Sequence, residues 1–158
     1  MLSALGYDFM DENGDRLPPV FASLEKVVQI ENNRVPEVLK DCHFQIACDV
    51  TNPLCGAQGC VYVFGAQKGV KEEEKESMDR AMQSYAACLE KFTGKKLSEI
   101  PGTGAAGGLG FAFLWGLPNV ELKPGIDIVL EAVGLTNELK DADVVVTGEG
   151  CLDFQTKP

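Results

Sequence analysis

The sequence has few of the features that mark several large classes of protein. It contains one histidine, and none of its six cysteines stands in a CxxC pair, so we expect no zinc site built from Cys and His. Basic residues are also scarce, since 14 lysines and arginines stand against 24 acidic residues and give a formal net charge of −10. A chain of that charge repels phosphate backbones, and we expect no nucleic-acid partner.

Long apolar runs and a recognisable leader are also missing. No apolar run approaches the ~18 residues of a membrane-spanning helix, and the first residues, MLSALGYDFMDENGD, show neither the basic region nor the cleavage site of a signal peptide. We therefore expect a cytoplasmic protein with no membrane partner. Its cysteines are expected to be reduced thiols, several of them buried as small apolar side chains.

What is present indicates one folded domain of the α/β class. The chain has 158 residues, 45% of them apolar, which is enough for an ordinary domain with a core. The first forty residues look irregular, and from there strands and helices alternate. This alternation predicts a mixed or parallel sheet with flanking helices. Strands are predicted over 44–50, 61–64 and 142–150, and helices over 71–92 and 126–133.

A glycine-rich segment, PGTGAAGGLG at residues 101–110, contains the pattern GxGxxG at Gly102, Gly104 and Gly107. A nicotinamide dinucleotide site would need an apolar strand directly before it, and residues 95–100 make a poor strand, so an oxidoreductase is the weaker alternative. A glycine-rich turn before a helix presents N–H groups that suit phosphate or carboxylate. Close helix packing is the competing explanation of these glycines. The Walker A pattern GxxxxGK[ST] is absent.

Two loops with acidic residues follow predicted strands. Asp49 lies at the carboxyl end of the strand over 44–50 and Asn52 just after it, and Glu149 and Asp153 follow the apolar run of the last strand. Carboxylates at strand ends bind Mg²⁺ or act as general bases on hydroxyl groups. Together with a polar loop that contains Lys68 and with the glycine-rich segment, they favour phosphoryl transfer over hydride transfer.

Four blocks of this sequence resemble the bacterial type I glycerate kinases. Residues 47–54, ACDVTNPL, and 63–69, VFGAQKG, are similar to the family pattern CDVxNPLxGxxGxxxxFGPQKG. Residues 101–110 and residues 146–150, VTGEG, resemble the family's PGxGAAGGxG and ITGEG. The blocks stand in the family's order and spacing, and the resemblance extends over nearly the whole chain.

The resemblance implies phosphorylation of D-glycerate to a phosphoglycerate, with ATP and Mg²⁺, in an enzyme of two α/β domains. It implies that Asp49 is catalytic, as a general base or near the metal, and that Lys68 supplies positive charge for phosphate or carboxylate. Glu149 and Asp153 would bind Mg²⁺. Substrate or phosphate binding is implied for seven further residues, namely Asn52, Gln67, Gly102, Thr103, Gly104, Gly107 and Gly108.

The chain also departs from the family pattern. Ala66 replaces the proline of FGPQKG, and Cys151 stands where the family has an arginine suited to an anion. Family chains are much longer, and motifs expected at both ends are missing. We therefore expect an internal piece with little kinase activity alone, and an inactive module that binds glycerate or nucleotide is the alternative. The resemblance implies that residues 1–158 form one partial region of such a kinase, most of it in the second α/β domain. The other domain of the family is Rossmann-like, and residues 142–158 are a candidate for a segment in which the chain returns to it. The sequence leaves the oligomeric state open, and a homo-oligomer is one of the alternatives.

Overall fold

The computed structural model describes residues 1–148, and the chain divides into two compact units. The first unit is Met1–Gly125, and the second begins at Ile126. No helix among residues 1–148 is long and apolar enough to cross a membrane. The assignment of the chain to the two domains of the longer kinases stays a prediction.

The first forty residues contain short ordered elements, so the prediction of an irregular segment is wrong in part. Strands β1 (Asp8–Met10) and β2 (Gln29–Glu31) pair in antiparallel fashion, with Phe9 opposite Ile30. Both of these side chains are buried in the main apolar core. Strands of three residues give almost no periodic signal, which is why the pattern did not reveal them. Helices of the 3-10 type lie at Leu2–Leu5, Phe21–Lys26 and Glu37–Asp41.

A second pair of strands is parallel and leads to the candidate site. Strand β3 (Phe44–Ala47) confirms the strand predicted over 44–50 in a shorter form, and it pairs in parallel with β4 (Val120–Lys123). Strand β4 was not predicted, because its four residues alternate only twice and lie between two prolines. The α/β class is confirmed, but the described residues form two-stranded sheets rather than one larger sheet.

The prediction of a strand over 61–64 is wrong, because this segment is helix α1 (Cys60–Phe64). A short apolar run of β-branched residues is compatible with either structure, and tertiary contacts decide. Here the helical turn buries Cys60 and Val61 in the core and leaves Val63 exposed. The following residues, Ala66–Lys68, form a 3-10 helix.

The helix predicted over 71–92 is confirmed as α2 (Glu72–Thr93), the longest element of the chain. Three glutamates in its first turn suit the positive end of the helix dipole. Gly94 ends the helix in a left-handed conformation at φ 73°, and its N–H group donates to the carbonyl oxygen of Glu90 at 2.7 Å. The buried face of α2 is apolar except for one charged residue, Asp79.

Helix α3 (Ala105–Gly116), whose first turn is interrupted by non-helical backbone at residues 106–108, packs with α2 and α1 to form the centre of the core. Leu54, Leu89 and Phe111 are at most 1% exposed. Full burial of each such side chain contributes about 1.5–3 kcal/mol to stability. The indole N–H of Trp115 donates to the carbonyl oxygen of Leu89 at 2.7 Å, which joins α3 to α2.

The second unit contains short helices. Helix α4 (Gly125–Ala132), which starts at the last residue of the first unit, confirms the helix predicted over 126–133, and α5 (Leu135–Glu138) follows it. The predicted strand over 142–150 is not formed in its described part, 142–148. Val144 and Val146 are 80% and 91% exposed. A strand needs a hydrogen-bonded neighbour, and within residues 1–148 none pairs with this segment.

Candidate functional site

The glycine-rich segment, residues 102–110 and called the glycine loop below, packs closely against the chain that follows β3. The N–H group of Gly104 donates to the carbonyl oxygen of Asn52 at 2.9 Å. A Cβ atom at Gly104 would collide with the carbonyl oxygen of Pro53, and a Cβ atom at Gly102 would lie 2.9 Å from the sulfur of Cys48. Close packing therefore explains why these two positions are glycine.

Thr103 lies inside the structure rather than at its surface. Its side chain is fully buried, and its hydroxyl oxygen lies 2.7 Å from the carbonyl oxygen of Ile100 and 3.0 Å from that of Ser98. These bonds hold the start of the glycine loop to the preceding turn. A contact between the Thr103 side chain and a ligand, as predicted, would require the loop to open.

The far end of the glycine loop lies beside Lys68. Ala106, Gly107 and Gly108 have left-handed backbone conformations with φ of 51°, 75° and 96°. A Cβ atom at Gly107 would lie 3.3 Å from the ammonium nitrogen of Lys68. Within residues 1–148 no carboxylate forms an ion pair with Lys68, and this side chain is exposed. The structure thus brings together two residues that were singled out separately in the sequence.

Two other predicted ligand residues differ in their surroundings. Gly108 faces the core, because a Cβ atom there would lie 2.9 Å from Cδ1 of Leu54 and close to Met82. Gln67 is exposed on the 3-10 helix next to Lys68. Gln67 is therefore accessible to a ligand, whereas the side of Gly108 that would carry a side chain is not.

Asp49 lies at the edge where β3 and β4 both end. The strands are parallel, so their carboxyl ends meet, and the N–H group of Cys48 donates to the carbonyl oxygen of Lys123 at 2.9 Å. Asp49 is exposed, and its Oδ1 accepts a hydrogen bond of 2.7 Å from the N–H group of Gly125, the first residue of α4. This bond, made within the first unit, orients the carboxylate.

Asn52 connects the two loops of the site. Its side-chain amide nitrogen donates to the carbonyl oxygen of Gln58 at 2.9 Å, and its own carbonyl oxygen accepts the bond from Gly104. The amide group is thus already used to hold residues 52–58 in place. Its predicted contact with a ligand stays a prediction.

The predicted metal ligands, Glu149 and Asp153, lie outside the described residues. Among residues 1–148 no group of three or more His, Cys, Asp or Glu side chains is arranged to hold a metal ion. The alternative of a dinucleotide site loses support, since residues 95–101, directly before the glycine loop, contain no strand.

Two carboxylates of α2 escaped the sequence prediction, and both hold backbone near the site. Asp79, 4% exposed, accepts hydrogen bonds from the N–H group of Gly56 at 3.0 and 3.1 Å. Glu90 accepts bonds of 2.7 Å from the N–H groups of Leu97 and Ser98. Partial burial raises the pKa of Glu90, but these two donors, together with the Ser98 hydroxyl and the charge of Lys96, outweigh it and hold the pKa below its ordinary value of 4.5. A signal for Asp79 was present, since it follows the helical spacing of the buried face.

An apolar cavity of about 370 Å³ lies behind the glycine loop, within the first unit. Met82 and Tyr85 of α2 line it together with Phe111 and residues 106–109. Burial raises the pKa of the Tyr85 hydroxyl above its ordinary value. The Met and Tyr stripe of α2 thus faces both the core and a cavity of the size that small molecules occupy.

Comparison with known proteins agrees with this arrangement of motifs. The model of the glycerate kinase family matches residues 1–158. The chain belongs to the glycerate kinase family. It is 42% identical over 156 residues to the glycerate kinase of Haemophilus influenzae, a match over 99% of this chain and 41% of that protein. It is 39% identical to the glycerate 2-kinase of Escherichia coli, with the same coverage.

A solved structure supports the fold. The crystal structure of a Salmonella typhimurium LT2 protein, provisionally named glycerate kinase 2, superposes with a TM-score of 0.89 at 39% identity. The match covers 99% of this chain and 41% of that one. The chain therefore spans about 41% of the length of the glycerate kinases that it matches.

Three of the four glycerate kinase blocks meet in space within residues 1–148. The block that contains Asn52 bonds to Gly104 of the glycine loop, and Gly107 of that loop lies beside Lys68 of the third block. Only the block at 146–150 extends beyond the described residues. These three blocks are thus in contact with one another rather than separate.

Proposed function

We propose that this chain supplies part of the active site of a kinase that phosphorylates D-glycerate with ATP and Mg²⁺. The observation that carries the proposal is the exposed Lys68 ammonium beside Gly107, without an ion-pair partner in the described part of the chain. A free cation beside a glycine-rich turn attracts phosphate or carboxylate. Family membership supports a phosphoryl donor and D-glycerate as the acceptor.

The proposed reaction makes one bond and breaks one. A hydroxyl oxygen of D-glycerate bonds to the γ-phosphorus of ATP, while the bond from that phosphorus to the bridging oxygen of ADP breaks. Asp49 accepts the hydroxyl proton as the general base, and the N–H group of Gly125 fixes the orientation of its carboxylate. Lys68 neutralises negative charge on the phosphate or on the D-glycerate carboxylate.

The metal assignment rests on donor chemistry and on the family pattern. Mg²⁺, when bound, neutralises charge on the β- and γ-phosphates during the transfer. Glu149 and Asp153 are proposed as its ligands because Mg²⁺ prefers carboxylate oxygens.

Ligand binding tests the role of Lys68. ATP and D-glycerate are titrated separately into the 158-residue chain and into Lys68→Ala, and the heat of binding is measured. We expect Lys68→Ala to weaken one of the two ligands about tenfold, which corresponds to about 1.4 kcal/mol for a charged hydrogen bond. Lys95→Ala removes the same charge from an exposed position outside the candidate site and should change neither affinity. Unchanged binding of both ligands in Lys68→Ala contradicts the proposal.

Turnover tests the role of Asp49. The chain alone is expected to release little ADP, so it is also inserted in place of the matching 156 residues of the Haemophilus influenzae relative. Asp49→Asn in this chimaera should lower D-glycerate-dependent ADP release by about 10²-fold or more, the contribution of a general base. Asp41→Asn, at an exposed carboxylate, is the matched control. An active chimaera that is insensitive to Asp49→Asn refutes the role, whereas ligand binding without ADP release supports an inactive binding module.

A further inference from the structure

Asp79 and Glu90 occupy the same face of α2, and each holds a different loop of the candidate site. They are eleven residues apart, which is about three helical turns, about 20° in rotation and about 16 Å along the axis. The carboxylate of Asp79 accepts from Gly56 and that of Glu90 from Leu97 and Ser98. Helix α2 thus has one acceptor for each loop.

The Asp79 contact fixes the turn between β3 and α1. This carboxylate is 4% exposed, and it also accepts a bond of 2.7 Å from the side-chain amide of Gln83. A buried carboxylate is costly unless donors surround it, so the position of the Gly56 N–H group is tightly specified. The carbonyl oxygen of Gly56 in turn accepts from Gly59 at 2.7 Å, which closes the turn.

The two loops are also bonded to each other between these two contacts. Leu54 donates to the carbonyl oxygen of Ser98 at 2.9 Å, and Gly104 donates to that of Asn52 at 2.9 Å. Asn52 reaches Gln58 through its side-chain amide. Together with helix α2, these bonds form a closed ring. The ring runs from Asp79 through the two loops to Glu90 and back along the helix to Asp79.

We propose that Asp79 and Glu90 are positioning residues that jointly place the glycine loop, and with it Gly107 beside Lys68. Neither carboxylate reaches the ligand; both act through the backbone that they hold. The 22-residue helix supplies a rigid spacing between them. The functional part of this inference rests on the proposed function, since it takes the turn at Gly107 as the place where an anion binds.

The test combines backbone exchange with binding of inorganic phosphate, both followed by NMR on the 158-residue chain. Asp79→Ala and Glu90→Ala are each expected to speed amide exchange at Gly104 about tenfold. Each substitution removes the carboxylate that holds one of the two loops, and the ring of bonds then opens more often. Phosphate affinity, read from the amide shift of Gly107, should fall about fivefold. A purely stabilising role would leave the phosphate affinity of the folded chain unchanged.

Controls separate local loosening from loss of the fold. The indole N–H of Trp115 reports the core and should keep its slow exchange in every variant used. Glu90→Gln keeps an oxygen that accepts both N–H groups, and it should recover most of the protection. Glu76→Ala removes an exposed carboxylate from the same helix and should have no effect at Gly104.

Each outcome decides the inference. Gly104 exchange within about twofold of the wild type in both alanine variants overturns it. If an alanine variant does not fold, Asp79→Asn decides in its place. Asp79→Asn loses one buried acceptor and should speed Gly104 exchange about threefold, and no change overturns the inference. If the wild type binds no phosphate near Gly107, the proposed function fails at this turn, while the exchange data still decide the positioning role.

Discussion

A methyl group added to the glycine loop would have opposite consequences at its two ends. At Gly107 it would sit 3.3 Å from the Lys68 ammonium nitrogen, the mobile end of a long side chain. At Gly104 it would meet the backbone oxygen of Pro53 well inside the 3.0 Å that real Cβ atoms keep. Gly107→Ala should therefore disturb the site, and Gly104→Ala should disturb the fold.

The expected magnitudes follow from these contacts. Gly107 has φ 75°, and alanine in a left-handed conformation costs about 1 kcal/mol. That cost lowers the melting temperature by about 2–4 °C for a chain of this size. Gly104→Ala must displace a backbone segment and lose the bond to Asn52, which costs about 3 kcal/mol, or about 6–12 °C.

Gly94→Ala provides the matched control for Gly107→Ala. Gly94 has nearly the same φ, 73°, and a Cβ atom there would have nothing within 4 Å. Thermal unfolding by circular dichroism should show equal losses for these two variants and a much larger loss for Gly104→Ala. Phosphate binding should weaken about fivefold in Gly107→Ala alone, since its methyl group displaces the ammonium. Equal phosphate affinities in the two matched variants, or a wild-type melting temperature in Gly104→Ala, would refute the reasoning.

Three further predictions concern the core, the thiols and the N-terminal ion pairs. Leu54→Ala should lower the free energy of unfolding in urea by about 3 kcal/mol, because the side chain is 0% exposed, and a loss below about 1 kcal/mol would contradict its place in the core. Burial raises the pKa of the Cys55 thiol to about 12, so at pH 8 iodoacetamide should modify Cys42 well before Cys55, as peptide mapping would show; equal rates would count against the burial. The hydrogen bond from Arg34 holds the pKa of Asp8 below its ordinary value of 3.8 against a smaller opposing effect of desolvation. The stability difference between wild type and Asp8→Asn should therefore exist at pH 7 and vanish as the pH falls through the lowered pKa; a difference in urea midpoint that persists at pH 2 would contradict it.

Local patterns predicted the long helix well and the short elements poorly. Helix α2 has six turns of consistent spacing, an acidic first turn and a glycine at its end, so every signal agrees. The segment 61–64 is too short to show a period, and its β-branched residues pointed to a strand that packing against α3 overrides. The apolar run that includes Val144–Val146 predicted a buried strand, but strand formation depends on pairing that no local pattern contains.

The motifs indicated a candidate site but did not distinguish the roles of the residues within it. They identified Lys68 and the glycine loop, and the structure brings the two together at Gly107. They could not distinguish Gly104, which lets two backbones approach, from Gly107, which faces the cation. Thr103 also looked like a ligand residue, because sequence alone does not show that a hydroxyl is fully buried.

The ring of bonds between the two loops makes them one cooperative unit for local unfolding. The bonds from Leu54 to Ser98 and from Gly104 to Asn52 tie together segments that are more than forty residues apart in the chain. Opening either loop breaks bonds in the other, so the loops exchange with solvent together rather than one at a time. Substitutions at scattered positions of this unit will therefore show one common phenotype, a smaller population of the assembled site.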